Sequence, residues 1–166
     1  ATDDENNRHL LAALARLPEA YLWIAGSGPL ETELKALAAR LGVAERVRFL
    51  GWRADASALY RAADACLFPS RFEPLGNVVI QAWAHGLPIV AAASRGPSDM
   101  ITDQVDGLLV AVDDDQALAE AAGRLIAEPG LGTRLAQAGA QRVAAEFSKA
   151  RVIAEWRMLL ATFGAV

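Results

Sequence analysis

Five short apolar runs alternate with segments of helical spacing along this chain, and that alternation leaves few folds open to it. The runs are Ala20 to Gly26, Arg46 to Gly51, Asp64 to Ser70, Leu87 to Ala93 and Gly107 to Val112. Each is too short for a helix of its own, which is the pattern of a strand buried within a sheet. Between them lie helical stretches: Glu5 to a stop at Pro18, Ser27 to Gly42, Ala54 to Ala63, Gly76 to Gly86, and a short turn around Ser98 to Asp103. In the second, Pro29 stands at a favourable first helical position and acidic residues follow it. Beyond the last run come a helix with an acidic start at Asp113 to Asp115 and a final helical stretch from Thr133 to Phe163, broken near Phe147 and Ser148. Repeated strand–helix–strand units predict an α/β fold, a parallel sheet covered on both faces. In such sheets ligands bind beyond the carboxyl ends of the strands. The loops Gly26–Pro29, Gly51–Arg53, Ser70–Asn77 and Ser94–Ser98 all gather on that edge, and the unusual residues sit in them. The opposite loops, including Thr102 to Gly107, read as ordinary turns.

Size and charge narrow the partners. The chain has 166 residues, 20 acidic against 16 basic for a formal net charge of -4, which suits one domain with a full core and argues against a nucleic-acid binder. Cys66 is the only cysteine and lies in an apolar run, so it reads as a small buried hydrophobe in a reducing, cytoplasmic setting. No apolar stretch approaches the roughly 20 residues of a membrane span, and no signal peptide is expected from these residues. Peripheral work at the cytoplasmic face of a membrane stays open. The first residues enter a helical pattern almost at once, as though the chain started in mid-fold.

Several familiar chemistries fall away. Gly26 and Gly28 match the start of a dinucleotide fingerprint, but Glu31 stands at its third glycine, and Leu50-Gly51-Trp52 replaces the acidic end of the next strand. Two glycines still permit close approach of a ligand to the backbone. His9, His85 and one cysteine make no metal site. Asp113 to Asp115 read as a helix cap, and His85 as a cap on the carbonyls ending its own helix.

The stretch from Ser70 to Gln81 admits two readings. It is either a structural loop with a helix cap, or a grip on a polyhydroxylated ligand. Glu73 precedes a helix start at Gly76, where free N–H groups and positive potential suit a phosphate or sugar oxygen. Gln81 lies a little more than one turn further on, and helical side chains lean toward the helix start.

Phe68 to Val110, with its order Ser70-x-x-Glu73-x-x-Gly76, Gln81, Gly86-x-Pro88, a glycine loop, Asp99 and Asp106-Gly107-Leu108-Leu109-Val110, resembles the signature region of retaining glycosyltransferases of the GT-B fold, family 4. Trp23 to Trp52 is similar to the segment that precedes it. The resemblance runs from about His9 to Val112. It implies a Rossmann-like, three-layer α/β/α domain, the C-terminal, donor-binding half of a GT-B enzyme, filling residues 1–166 as one nucleotide-sugar-binding domain. The acceptor domain and the first strand have no counterpart. The last helix would correspond to the one that crosses back toward the partner domain.

The resemblance also implies roles. Glu73 would contact hydroxyls of the donor sugar. Backbone at Leu75, Gly76, Asn77 and Val78, with Ser70, Arg71 and Pro74 around it, would face sugar and diphosphate. Gln81 would hold the ribose, Trp52 and Arg53 would meet the nucleobase, and Gly26, Ser27, Gly28 and Pro29 would border the cleft. Three departures stand out. Gln81 replaces a second glutamate, Asp99 is shorter by one methylene than the family's residue, and the Arg/Lys pair that grips the diphosphate is missing, the lysine position falling near Glu5. Arg71 or Arg95 would then supply the cation. The expected activity of the whole enzyme is transfer of a sugar from an NDP-sugar, UDP or GDP type, to a glycan or glycolipid with retention, in polysaccharide or lipopolysaccharide biosynthesis. No metal or tightly bound cofactor is expected, and the isolated chain is expected to be inactive. The alternatives are an NDP-sugar epimerase of the same fold, or a decayed module that binds without catalysis.

Overall fold

Each apolar run becomes a strand, and every strand pairs in parallel. A computed structural model describes residues 4–128 and 130–164. In chain order the elements are α1 (Asp4–Ala15), β1 (Leu22–Ala25), α2 (Glu31–Arg40), β2 (Val47–Gly51), α3 (Ala56–Ala62), β3 (Cys66–Phe68), α4 (Asn77–Ala84), β4 (Ile89–Ala92), α5 (Arg95–Met100), β5 (Leu108–Val110), α6 (Asp115–Ala127), α7 (Leu131–Glu146) and α8 (Lys149–Thr162). Two expectations shift. Helix α2 starts at Glu31 with Leu30 as its cap, so Pro29 lies in the preceding turn. Gly96 and Pro97 belong to the first turn of α5 and are not loop.

The single sheet of the sequence reading is divided. Strands β1 and β2 form one parallel pair, and β3, β4 and β5 a second parallel sheet with β4 in the middle. Among the described residues no ladder joins β1 to β3. Packing holds the two together. Helix α1 turns Leu10 and Ala13 toward the cluster formed with Val90, Leu108 and Leu135, and Leu11 and Leu14 toward the cluster around Ile24, Leu34 and Val47. Leu22 of β1 and Leu67 of β3 pack against the first of these clusters. Arg46 fastens the end of α1 and the turn that follows it, donating to the carbonyls of Leu14, Leu17 and Ala20.

The coverage is also uneven. Strand β4 is buried throughout: Val90 faces the α1/α6 side, while Ile89 and Ala91 face a third cluster with Val79, Ala82 and Trp83 of α4. This half is a true three-layer sandwich. In the other half, Trp23 and Ala25 of β1 and Arg48 of β2 stay exposed on the face away from α2. Arg48 marks that face in the sequence as the one polar residue within its strand.

Trp83 is the largest wholly buried side chain, and three contacts hold it. Its Nε1–H donates to the Asp106 carbonyl at 2.7 Å, the Arg142 guanidinium lies 5.1 Å from its ring centre, and Gly139 of α7 lies flat against it. A methyl group on residue 139 would sit 2.1 Å from a ring carbon of Trp83. Helix propensity alone favours Gly139→Ala by about 1 kcal/mol. Overpacking against a ring fixed on three sides outweighs it, for a net loss of about 2 kcal/mol. A thermal melt of that variant is expected to fall by roughly 6 °C. A rise would show that α7 can move off Trp83 freely.

Candidate functional site

Two hydrogen-bonded ties bring the strand ends together. After β1 the chain turns at Gly26, whose N–H donates to the Gly51 carbonyl at the end of β2 at 2.8 Å. The loops Gly26–Pro29 and Gly51–Arg53 are thereby neighbours. The start of α1 provides the second tie, across the two sheets. Asn7, nine-tenths buried, lines a small cavity with Gly26, Ser27, Gly28 and Glu31. Its neighbour Asn6 accepts the Arg71 N–H at 3.2 Å, from the loop after β3. Neither asparagine is among the residues singled out by motif or spacing in the sequence. Two adjacent amides near the start of a helix, where asparagine is a poor helix former, were the available signal.

The loop after β3 has a definite internal structure. Glu73 turns its carboxylate back, and Oε1 accepts the N–H groups of Leu75 at 3.1 Å and Gly76 at 2.8 Å. The Glu73 carbonyl accepts the Gly96 N–H at 2.7 Å. Two of the amides expected to face a sugar or diphosphate are therefore taken by Glu73. Among the described residues that leaves the N–H groups of Asn77 and Val78 as the open donors in the first turn of α4. Among the described residues the second carboxylate oxygen of Glu73 has no partner. Gly76 caps α4 at φ +86, a conformation that disfavours any side chain. Ser70, buried, donates to the Phe72 carbonyl at a long 3.4 Å, while Phe72 and Leu75 point into solvent.

Gln81, on the same helix, is exposed, and its Oε1 accepts the Tyr60 hydroxyl at 3.1 Å. His85 closes the helix as expected, its Nδ1 lying 2.7 Å from the Gln81 carbonyl, and its other ring nitrogen meets Ser57. Trp52 is 82% exposed, an open aromatic face just past β2.

The cations are mostly engaged. Arg53 forks onto Asp55 through two bonds of 2.7 and 2.6 Å, and that hydrogen bonding holds the Asp55 carboxyl below its usual range. Arg71 pairs with Asp113 at 3.1 Å, and His9 reaches the same carboxylate oxygen at 3.3 Å. Asp113, at φ +65, is thus bound away from the helix it precedes. The cap is Asp114, which accepts the Ala117 N–H. Arg95 is the most open, 87% exposed with Asp99 at 3.9 Å. The side chain at the Glu5 position lies outside the described residues. Among the described residues no group of three or more His, Cys, Asp or Glu is placed to hold a metal ion. No helix among them is long and apolar enough to cross a membrane. Burial pushes the Cys66 thiol up to about 12, so it stays protonated and unreactive at neutral pH.

Comparison with known proteins bears on this edge. Residues 2–128 match the family model described as glycosyl transferases group 1. The chain is 39% identical over 153 residues to the lipopolysaccharide core biosynthesis glycosyltransferase LpsE of Rhizobium meliloti, a match covering 92% of this chain and 45% of that protein. Among solved structures it superposes on the sucrose-phosphate synthase of Thermosynechococcus elongatus with a TM-score of 0.86 and 32% identity, over 97% of this chain and 43% of the other. It superposes on Anabaena HepE in complex with UDP-glucose with a TM-score of 0.85 and 28% identity, over 95% and 44%. The chain therefore spans less than half the length of these relatives.

The turned-back carboxylate can be tested without a ligand. Glu73→Gln keeps an oxygen for the two loop amides, whereas Glu73→Ala leaves them open. Amide hydrogen exchange at Leu75 and Gly76 is expected to speed up about tenfold or more in the alanine variant and to change little in the glutamine variant. Equal exchange in both variants would mean that Glu73 does not order the loop.

Proposed function

Because this chain belongs to the glycosyl transferases group 1 family, we propose that its carboxyl edge is the donor site of a family 4, retaining glycosyltransferase. The whole protein transfers a sugar from a nucleotide sugar to a glycan or glycolipid acceptor. One observation carries the reading: Glu73 spends one oxygen ordering the start of α4 and keeps the other for a ligand, beside the open N–H groups of Asn77 and Val78. A carboxylate fixed in this way suits sugar hydroxyls, and a helix start suits a diphosphate. Trp52 offers a stacking face to the base, and Gln81 stands at the ribose. The UDP-glucose held by the Anabaena neighbour supports a uridine donor, and the lipopolysaccharide relative supports an acceptor in cell-envelope glycan synthesis.

The fixed amides need no reorientation as negative charge builds on the leaving diphosphate, and that preorganisation is where the catalytic advantage lies. Among the described residues Arg95 is the most exposed of the arginines on this edge. Acceptor binding falls to the other half of the protein. Helix α8 supports this division: none of its residues is buried, and Val152, Ile153, Trp156, Leu159 and Leu160 form an apolar stripe for that half to cover. The protein works in the cytoplasm, at the membrane face where a lipid-linked acceptor would be presented.

Calorimetric titration of this chain with UDP, GDP and ADP tests the reading. Saturable heat with one of them is expected, strongest with UDP, with no sugar transfer by the chain alone because both halves must close on the substrates. Silence with all three would leave only a decayed module. Epimerisation of free UDP-glucose without acceptor would point to the other enzyme class.

A further inference from the structure

Tyr60 and Gln81 meet across the α3–α4 contact, where a ring stack holds Tyr60 in place. Its ring stacks on His85, with centroids 5.1 Å apart and planes within 18°. His85 is itself fixed at both nitrogens. Nδ1 donates to the Gln81 main-chain carbonyl at 2.7 Å, which leaves Nε2 to accept the Ser57 hydroxyl at 2.7 Å. Arg61 then donates to the Ser57 oxygen at 2.6 Å. Ser57 Oγ thus donates to His85 and accepts from Arg61. At its end the Tyr60 hydroxyl donates to Oε1 of Gln81 at 3.1 Å.

We infer that Tyr60 is a positioning residue for nucleotide recognition: it occupies the carbonyl oxygen of Gln81 and so turns the amide NH2 group toward the ligand. The inference rests on the donor-site reading above. It changes the chemistry of that site. A glutamate at residue 81 would accept hydrogens from the ribose diol, whereas an amide held this way donates one to it. Among the described residues the Gln81 NH2 group has no other partner, so it is available. Burial raises the Tyr60 hydroxyl to about 12, which keeps it a proton donor across the physiological range. Without Tyr60 the amide would be free to rotate by half a turn and to present either group.

The test compares Tyr60→Phe in two backgrounds, the native chain and Gln81→Glu, titrating each with UDP and 2′-deoxy-UDP. In the native background the variant is expected to weaken UDP about five- to tenfold and to erase most of the preference over the deoxy nucleotide. In the Gln81→Glu background the two carboxylate oxygens are equivalent, so the same change is expected to matter less than about twofold. An equal loss in both backgrounds would show a merely structural role for Tyr60, and no loss in the native background would overturn the inference outright. A ligand-free readout keeps the two layers apart. Carbon-13 NMR of the Gln81 side-chain carbonyl is expected to shift upfield in Tyr60→Phe, as an acceptor loses its donor. No shift would refute the Tyr60–Gln81 bond whatever the nucleotide does. Failure of the unaltered chain to bind UDP, with the carbon shift present, would refute the donor-site reading and the ribose role with it.

Discussion

The candidate site depends on the absence of a side chain at residue 96. A methyl group there would lie 2.7 Å from the Leu75 carbonyl carbon, 2.8 Å from the Glu73 oxygen and 2.9 Å from the Gly76 nitrogen. All three are backbone atoms, so no rotamer change could relieve the contact. The loop after β3 is thus laid directly on the backbone of α5, and the Gly96–Glu73 hydrogen bond holds it there. From that contact the rest follows. The loop path sets the Glu73 carboxylate over the start of α4, and the Glu73 carboxylate decides which amides are left for a ligand.

Helix α5 must itself be immobile for this to work, and a buried ion pair anchors its far end. Asp106 is almost wholly buried, with one carboxylate oxygen accepting the Thr102 N–H and the other meeting Arg142 at 2.9 Å. Arg142 also donates to the Met100 carbonyl, the last residue of α5, and forks onto Glu146 within its own helix. An isolated buried carboxylate would cost several kcal/mol. Here it is matched on both oxygens, and the arrangement ties α5, α7 and the ring of Trp83 into one body. The turn from Thr102 to Gly107, plain in the sequence, carries this anchor.

Much of this was legible in the residue order. The five strands, the break at Phe147-Ser148 and the cap at Asp114 are local features, decided by residues within a few positions of one another. The gathering of loops on the carboxyl edge follows from parallel pairing alone. What escaped depends on distance along the chain. The Asn6–Arg71 bond spans 65 positions and the Tyr60–Gln81 bond 21, and no periodicity signals either. Glu73 was legible as a candidate ligand residue but not as the residue that orders its own loop. Its spacing to Leu75 and Gly76 fits a turn and a ligand grip equally well, and the structure puts it to the first use while leaving an oxygen for the second. The division into two sheets was hidden for a different reason: apolar runs report packing, and Leu22 of β1 and Leu67 of β3 pack against the cluster that α1 joins without their strands pairing.

A crystal structure of this chain with UDP tests the central claim, that the edge ordered by Gly96 and Glu73 is the nucleotide-sugar site. The expected result places the diphosphate within hydrogen-bond distance, about 3 Å, of the Asn77 and Val78 N–H groups, with the ribose at Gln81 and the base toward Trp52. Nucleotide bound on any other face of the molecule, with this edge unchanged at saturating UDP, would contradict it.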